Sequence, residues 1–254
     1  MAPKTNEIKA YYDASPGVHN AIKTLRTNIK FSSIDRDIKT LVFTSVKPNE
    51  GKTTLSIYLA IAMAESGLRT LIINTDCYKP FMATKLGVQN QKSWLDVLYG
   101  DTRLEEAITE TTLKNLYFLE SDVKVANPVE LVGSNRFNKM IDTLRTSFDA
   151  IILDTPPLGT FIEAALLASK ADGTILVIDS VGVDEKKAID VVEQLKKANA
   201  SILGVVLNNV TVSEDDYYGY YNYQTPQARR ARNGRDKRTA RSDRRNTRSE
   251  RRAR

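Results

Sequence analysis

The stretch that decides the fold is Thr44-Ser45-Val46-Lys47-Pro48-Asn49-Glu50-Gly51-Lys52-Thr53-Thr54. It follows a short apolar run, Thr40 to Phe43, and precedes a helical pattern with Leu55, Tyr58, Leu59, Ala62 and Met63 on one face, ending at Gly67. A loop between a strand and a helix is the context in which such a string cradles phosphate, because free backbone N–H groups and a helix N-terminus point at one place. In that reading Lys52 neutralises the outer phosphates, the Thr53 hydroxyl reaches Mg²⁺, and Asn49, Glu50, Gly51 and Thr54 complete the ATP-binding loop. A side chain at Gly51 would crowd the phosphates. The strict pattern has glycine where this chain has Val46, and the bland alternative is an ordinary Lys-Thr-Thr helix start.

A second element weighs against that alternative. Ile151-Ile152-Leu153-Asp154 ends a buried strand with a carboxylate, the usual partner of nucleotide-bound magnesium. A third acidic point, Asp76, follows the run Thr70 to Ile73 within Asn74-Thr75-Asp76-Cys77-Tyr78-Lys79-Pro80. Alone it reads as a turn residue before proline. At a strand tip of a nucleotide-binding sheet it reads as a ligand or base. The site residues are thus Lys52, Asp76 and Asp154 for catalysis and Thr53, Asp76 and Asp154 for metal, with ATP and Mg²⁺ as cofactors.

Outward from this core, branched apolar runs recur at Leu116 to Leu119, Ala150 to Leu153, Thr174 to Ile178 and Ile202 to Leu207. Helical patterns lie between, as with Ile189, Val192 and Leu195 after the cap Asp184. This alternation predicts an α/β fold, a mostly parallel sheet with helices on both faces. Val18 to Phe31 carries Ile22, Leu25 and Ile29 at helical spacing, an amphipathic N-terminal helix with Lys23 and Arg26 largely on other faces. We divide the chain into an arm with this helix (1–38), a nucleotide-binding domain (39–212), a tyrosine cluster (213–228) and an arginine-rich tail (229–254), with disorder expected from about residue 213 onward.

Charge supports that division. Of 37 basic and 31 acidic residues, 13 and 3 fall in 229–254, so the body, with 24 and 28, is mildly acidic. One cysteine, Cys77, excludes an internal disulfide framework and fits a reducing cytoplasm. No apolar run approaches the roughly 18 residues that a membrane span needs, and the first residues lack a signal-peptide core, so membrane association is expected to be borrowed or peripheral.

Together these stretches resemble the bacterial tyrosine kinases of the CpsD/CapB type, which act with capsule and exopolysaccharide export systems. The resemblance covers roughly residues 15 to 223. It rests on Leu25-Arg26-Thr27-Asn28-Ile29, the loop through Lys52, Asp76 with Lys79-Pro80, Asn127-Pro128-Val129-Glu130-Leu131-Val132-Gly133-Ser134, Asp154-Thr155-Pro156-Pro157 and Gly204-Val205-Val206-Leu207-Asn208. It implies a P-loop NTPase fold like that of the cell-division and partitioning ATPases, with Asn208 added to the ATP site. It also implies trans phosphorylation of a tyrosine tail, here Tyr217, Tyr218, Tyr220, Tyr221 and Tyr223, preceded by Glu214, Asp215 and Asp216. The partners implied are further copies in a ring, a membrane-embedded polysaccharide chain-length regulator that activates the kinase, and a tyrosine phosphatase. The expected location is the cytoplasm, recruited to the inner face of the plasma membrane.

Three departures stand out. Where the family typically has two aspartates around the second strand tip, this chain has Asn74 and Asp76. An amide cannot take up a proton at neutral pH, so either Asp76 serves as base or the protein is a weakly active, nucleotide-dependent assembly switch. The family's Glu-x-x-Arg-x-x-Arg assembly motif reads Asn20-Ala21-Ile22-Lys23-Thr24-Leu25-Arg26, with Lys23 and Arg26 the candidate oligomer contacts. The arginine-rich tail is a solvated segment, a contact to anionic lipid, or, in the least favoured reading, the DNA contact of a partitioning-type ATPase. Phosphotyrosines pairing with those arginines would compact the tail.

Four residues carry little functional signal. His19 is the only histidine and is expected at a surface or helix start. Cys77 is expected to pack, Trp94 to anchor a short helix, and Glu163 to be a helix-start acid or a neighbour of the site, none of them catalytic.

Overall fold

The computed structural model describes residues 6–32, 36–79, 82–89, 92–121, 125, 127–182 and 184–211. The first compact unit runs to Val210. The tyrosine cluster, the arginine-rich tail and Pro80 lie outside the described residues.

Among the described residues seven strands form one sheet: β1 Thr40–Ser45, β2 Thr70–Asn74, β3 Thr109–Glu110, β4 Leu116–Leu119, β5 Ala150–Asp154, β6 Gly173–Asp179 and β7 Ile202–Asn208. Their spatial order is β3-β4-β2-β5-β1-β6-β7. Every pairing is parallel except that of the two-residue β3 with β4. The six strands expected from apolar runs are present; β3 is too short and polar to show in the sequence.

Both faces of the central strands are buried, so they read as continuous apolar runs. Leu41 and Phe43 of β1, with Ile72, Ile152, Ile175 and Val177, face α2 Pro16–Ser32 and α3 Lys52–Glu65. Val42, Ile73, Leu153 and Leu176 face the opposite layer, which includes α5 Trp94–Tyr99, α8 Asn135–Ser147, α9 Glu163–Ala168 and α10 Glu185–Lys197. The expected N-terminal helix is α2, buried at Ile22 and Ile29. It is preceded by α1 Glu7–Tyr12, a helix not foreseen, capped by the Asn6 side chain. The expected cap of α10 is confirmed, since the Asp184 side chain accepts from Lys187 N.

α5 shows why a short helix forms where it does. Ser93 and Asp96 make a reciprocal capping box, Gly100 closes the C-terminus at φ 88°, and Trp94 is fully buried, edge-on to Phe137. His19 lies in the first turn of α2, half-exposed, its ring 4.8 Å edge-on from Tyr11.

At the N-terminal end of the sheet, Asp172 Oδ2 accepts from Lys39 N at 2.9 Å, Thr40 N at 2.7 Å, Thr40 Oγ1 at 2.8 Å and Arg145 Nη1 at 2.6 Å. Burial pushes this carboxyl up, but Arg145 and the Thr40 and Lys39 donors outweigh it and hold it below its ordinary 3.8. A group held low in the fold adds stability that is complete above its unfolded value and lost as pH falls through the folded one. Asp172→Ala is therefore expected to destabilise by about 2 kcal/mol at neutral pH. The gap should begin to narrow as pH falls below about 3.8 and close only below the lower folded value, measured by urea unfolding across an acid series.

Candidate functional site

Parallel strands put their C-terminal tips on one edge, where a ligand of an open α/β sheet binds. Register sets Phe43 beside Asp154 and Asn74 beside Asp154, so the loops after β1, β2 and β5 share one mouth.

The loop after β1 turns on two left-handed residues, Asn49 at φ 66° and Gly51 at φ 89°. Asparagine tolerates that region better than most side chains, so Asn49 suits its place. A Cβ on Gly51 would stand 2.1 Å from Asn208 Nδ2. The positive φ strains any other residue at this position, and a Cβ would also force the Asn208 carboxamide to move. Asn208, at the end of β7, donates to Glu50 O at 3.0 Å and so braces the loop from across the sheet. Glu50 is buried, and its Oε2 accepts from Val46 N at 2.7 Å and Lys47 N at 2.8 Å. Its carboxylate fixes the loop's entry internally. Val46 lies against Gly159, where a Cβ would meet Val46 O at 2.1 Å, so the glycine of the loop after β5 permits the approach. Lys47 Nζ donates to Gly182 O at 2.9 Å.

Lys52, Asp76, Asp154 and Thr53 converge as expected. Lys52 Nζ lies 3.4 Å from Asp76 Oδ2 and 3.8 Å from Asp154 Oδ2. Thr53 Oγ1 donates to Asp154 Oδ2 at 2.6 Å. The other oxygen, Asp154 Oδ1, is buried without a hydrogen-bond partner. Burial pushes the Asp154 carboxyl up, opposed by Lys52 and Thr53. A buried, orphaned carboxylate oxygen beside a threonine hydroxyl fits a hard divalent cation, whose remaining positions phosphate and water oxygens would fill.

Asp76 satisfies both sequence readings at once. Its Oδ1 accepts from Tyr78 N and Lys79 N, each at 3.1 Å, a turn-forming pattern. Its Oδ2 faces Lys52. Asn74 donates from Nδ2 to Glu120 Oε1 at 2.6 Å and accepts Asp76 N on Oδ1 at 3.0 Å. Glu120, at the tip of β4, was missed from sequence; the signal that could have found it is the same one that marks Asp154, an acid directly after an apolar run.

The bland residues find defined places. Cys77 packs in the core, and Trp94, beyond anchoring α5, donates from Nε1 to Asn74 O at 3.0 Å. Glu163 begins α9 and also borders the site, because its buried carboxylate accepts from Tyr78 Oη at 2.6 Å. Burial and this carboxylate raise the Tyr78 hydroxyl well above its ordinary value. Tyr78 stacks on Phe161 with ring centroids 3.9 Å apart, joining the loops that carry Asp76 and Asp154. In α2, Lys23 is exposed, whereas Arg26 donates to Ala62 O of α3 at 2.7 Å. A cavity of about 480 Å³ near Arg145, Lys170 and Asp172 lies at the opposite end of the strands from this mouth.

The match to known proteins agrees with this geometry. A family model described as "AAA domain" covers residues 38–206. Tyrosine-protein kinase CpsD of Streptococcus pneumoniae serotype 4 is 38% identical over 76% of this chain and 85% of that protein. The crystal structure of the chimerical protein CapA2B2 superposes with a TM-score of 0.74 at 30% identity, over 79% of this chain and 88% of that one. The septum site-determining protein MinD of Pyrococcus horikoshii, in complex with Mg-ADP, reaches 0.60 at 29% identity over 70% and 73%.

Asp154→Asn is expected to raise the apo protein's unfolding free energy by about 1 kcal/mol, because it removes a buried charge held for a ligand. The same change should abolish the rise in melting temperature that Mg²⁺ and nucleotide give together; calorimetry reads both.

Proposed function

This chain belongs to the bacterial tyrosine-protein kinase family, and we infer that it transfers the outer phosphoryl group of ATP to tyrosine hydroxyls, those of Tyr217, Tyr218, Tyr220, Tyr221 and Tyr223 on neighbouring copies first. The observation that carries this reading is the junction of Lys52, Thr53, Asp76 and Asp154 at one strand edge, with one Asp154 oxygen left unpartnered.

Phosphoryl transfer demands placement and charge neutralisation more than covalent help. The amides of the loop from Asn49 to Thr54 and the N-terminus of α3 hold the phosphates, and Lys52 turns from the two aspartates toward the outer phosphate oxygens. Thr53 and Asp154 would hold Mg²⁺, which would supply charge neutralisation to the phosphates. The acceptor phenol, with an ordinary pKa near 10, needs a base. Asp76 supplies it, since its Oδ2 is the oxygen not committed to backbone amides and faces the site beside Lys52.

The same reading extends to regulation. A membrane-embedded activator resembling the polysaccharide chain-length regulators recruits the kinase to the inner face of the plasma membrane, and a tyrosine phosphatase resets the tail. Ring assembly through α2, with the exposed Lys23, then follows the phosphorylation state and governs capsule or exopolysaccharide synthesis. Among the described residues no helix is long and apolar enough to cross a membrane.

Incubating the full chain with Mg-ATP is expected to place phosphate on Tyr217 to Tyr223, read by mass spectrometry. Lys52→Met should lower it at least about 100-fold. Equal labelling in that variant would overturn the assignment.

A further inference from the structure

Asn74 sits where a carboxylate would be expected to assist, and the bonds around it explain the amide. Its Nδ2 gives a 2.6 Å hydrogen bond to Glu120 Oε1, and its Oδ1 takes the Asp76 N–H at 3.0 Å. Its backbone carbonyl takes Trp94 Nε1 at 3.0 Å. Only a side chain that donates at one end and accepts at the other can bridge a carboxylate to an N–H. Glu120 is itself anchored: Oε1 also accepts Ser121 N at 3.0 Å, and Oε2 accepts Ala83 N at 3.0 Å, at the start of the helix Met82–Leu86. Ser121 Oγ donates in turn to Asp76 O at 3.3 Å. Both backbone polar groups of Asp76 are therefore held by the Asn74–Glu120–Ser121 cluster.

We propose that Glu120 is a positioning residue for the kinase reaction: acting through the Asn74 carboxamide, its buried carboxylate sets the backbone of Asp76 and so aims the Asp76 carboxylate at the acceptor hydroxyl. Asn74 and Glu120 form a matched pair, in which the amide is required because the acid stands opposite. An aspartate at 74 would bring two carboxylates to about 2.6 Å, where they cannot both be ionised. Asn74→Asp alone would thus make the pair share one proton, so that the new carboxyl group is tied to Glu120 and is not free to act as a base. The proposal rests on the tyrosine-kinase reading, since it assigns a role within that reaction.

The test uses the full chain with Mg-ATP, comparing Glu120→Gln, Asn74→Asp and the exchange variant Asn74→Asp/Glu120→Gln. Each single change is expected to lower kcat about tenfold while KM for ATP moves less than about twofold, as supporting-residue losses do. The exchange restores a donor opposite an acceptor and should recover most of kcat. Its recovery is incomplete because the carboxamide that replaces Glu120 must then set an N–H against Ser121 N. A second readout does not depend on transfer: the Asp76 backbone amide and the Asn74 carboxamide resonances in ¹H–¹⁵N spectra should both shift in Glu120→Gln, with Lys52-loop amides little changed.

Unmoved Asp76 and Asn74 resonances in Glu120→Gln would overturn the positioning role. So would an Asn74→Asp variant faster than the native chain, which would make Asn74 a lost base. If the native chain labels no tyrosine yet these resonances shift as described, the held Asp76 stands and the kinase reading falls.

Discussion

The parallel insertion of β1 between β5 and β6 is the constraint on which the rest depends. It places the loop after β1 beside the tip of β5, so that Lys52 and Thr53 meet Asp154 although about a hundred residues separate them. Burying both faces of these strands by apolar side chains makes the pairing rigid, and rigid elements hold small sites with the sub-ångström accuracy that transfer chemistry needs. The cost falls at the edge itself, where Asp154 keeps a buried oxygen without a partner.

The neighbouring strand tips convert that edge into a site with graded roles. Asp154 and Thr53 suit a cation, Lys52 links the two aspartates, and Asp76 is tied by its backbone while one carboxylate oxygen remains toward the mouth. Around them, further side chains brace the loops. Glu50 closes the loop on itself, Asn208 presses on Gly51 and Glu50 from the far strand, and Tyr78 locks two loops through Phe161 and Glu163.

Asn74 shows how much a distant partner adds to a local sequence comparison. Read along the strand it is an aspartate lost. Read across the sheet it is the amide that a buried Glu120 demands. The two residues lie 46 positions apart in the chain, and nothing in the intervening residues signals that they touch.

From the chain alone, the fold class and most of the site were legible, because both rest on local regularities. Apolar runs of four to six residues mark buried parallel strands, and a Gly-Lys-Thr turn between strand and helix marks a phosphate loop. An acid closing a strand, as Asp154 does, marks a candidate cation ligand in that setting. Tertiary structure alone decided the pairs that cross strands: Glu120 against Asn74, Asn208 against Gly51, Tyr78 against Glu163, and Arg26 turned onto Ala62. The two-residue β3 and the helix Glu7–Tyr12 belong with them. Such contacts follow from register and packing, which depend on every strand at once, whereas periodicity reports only which face of its own element a residue takes.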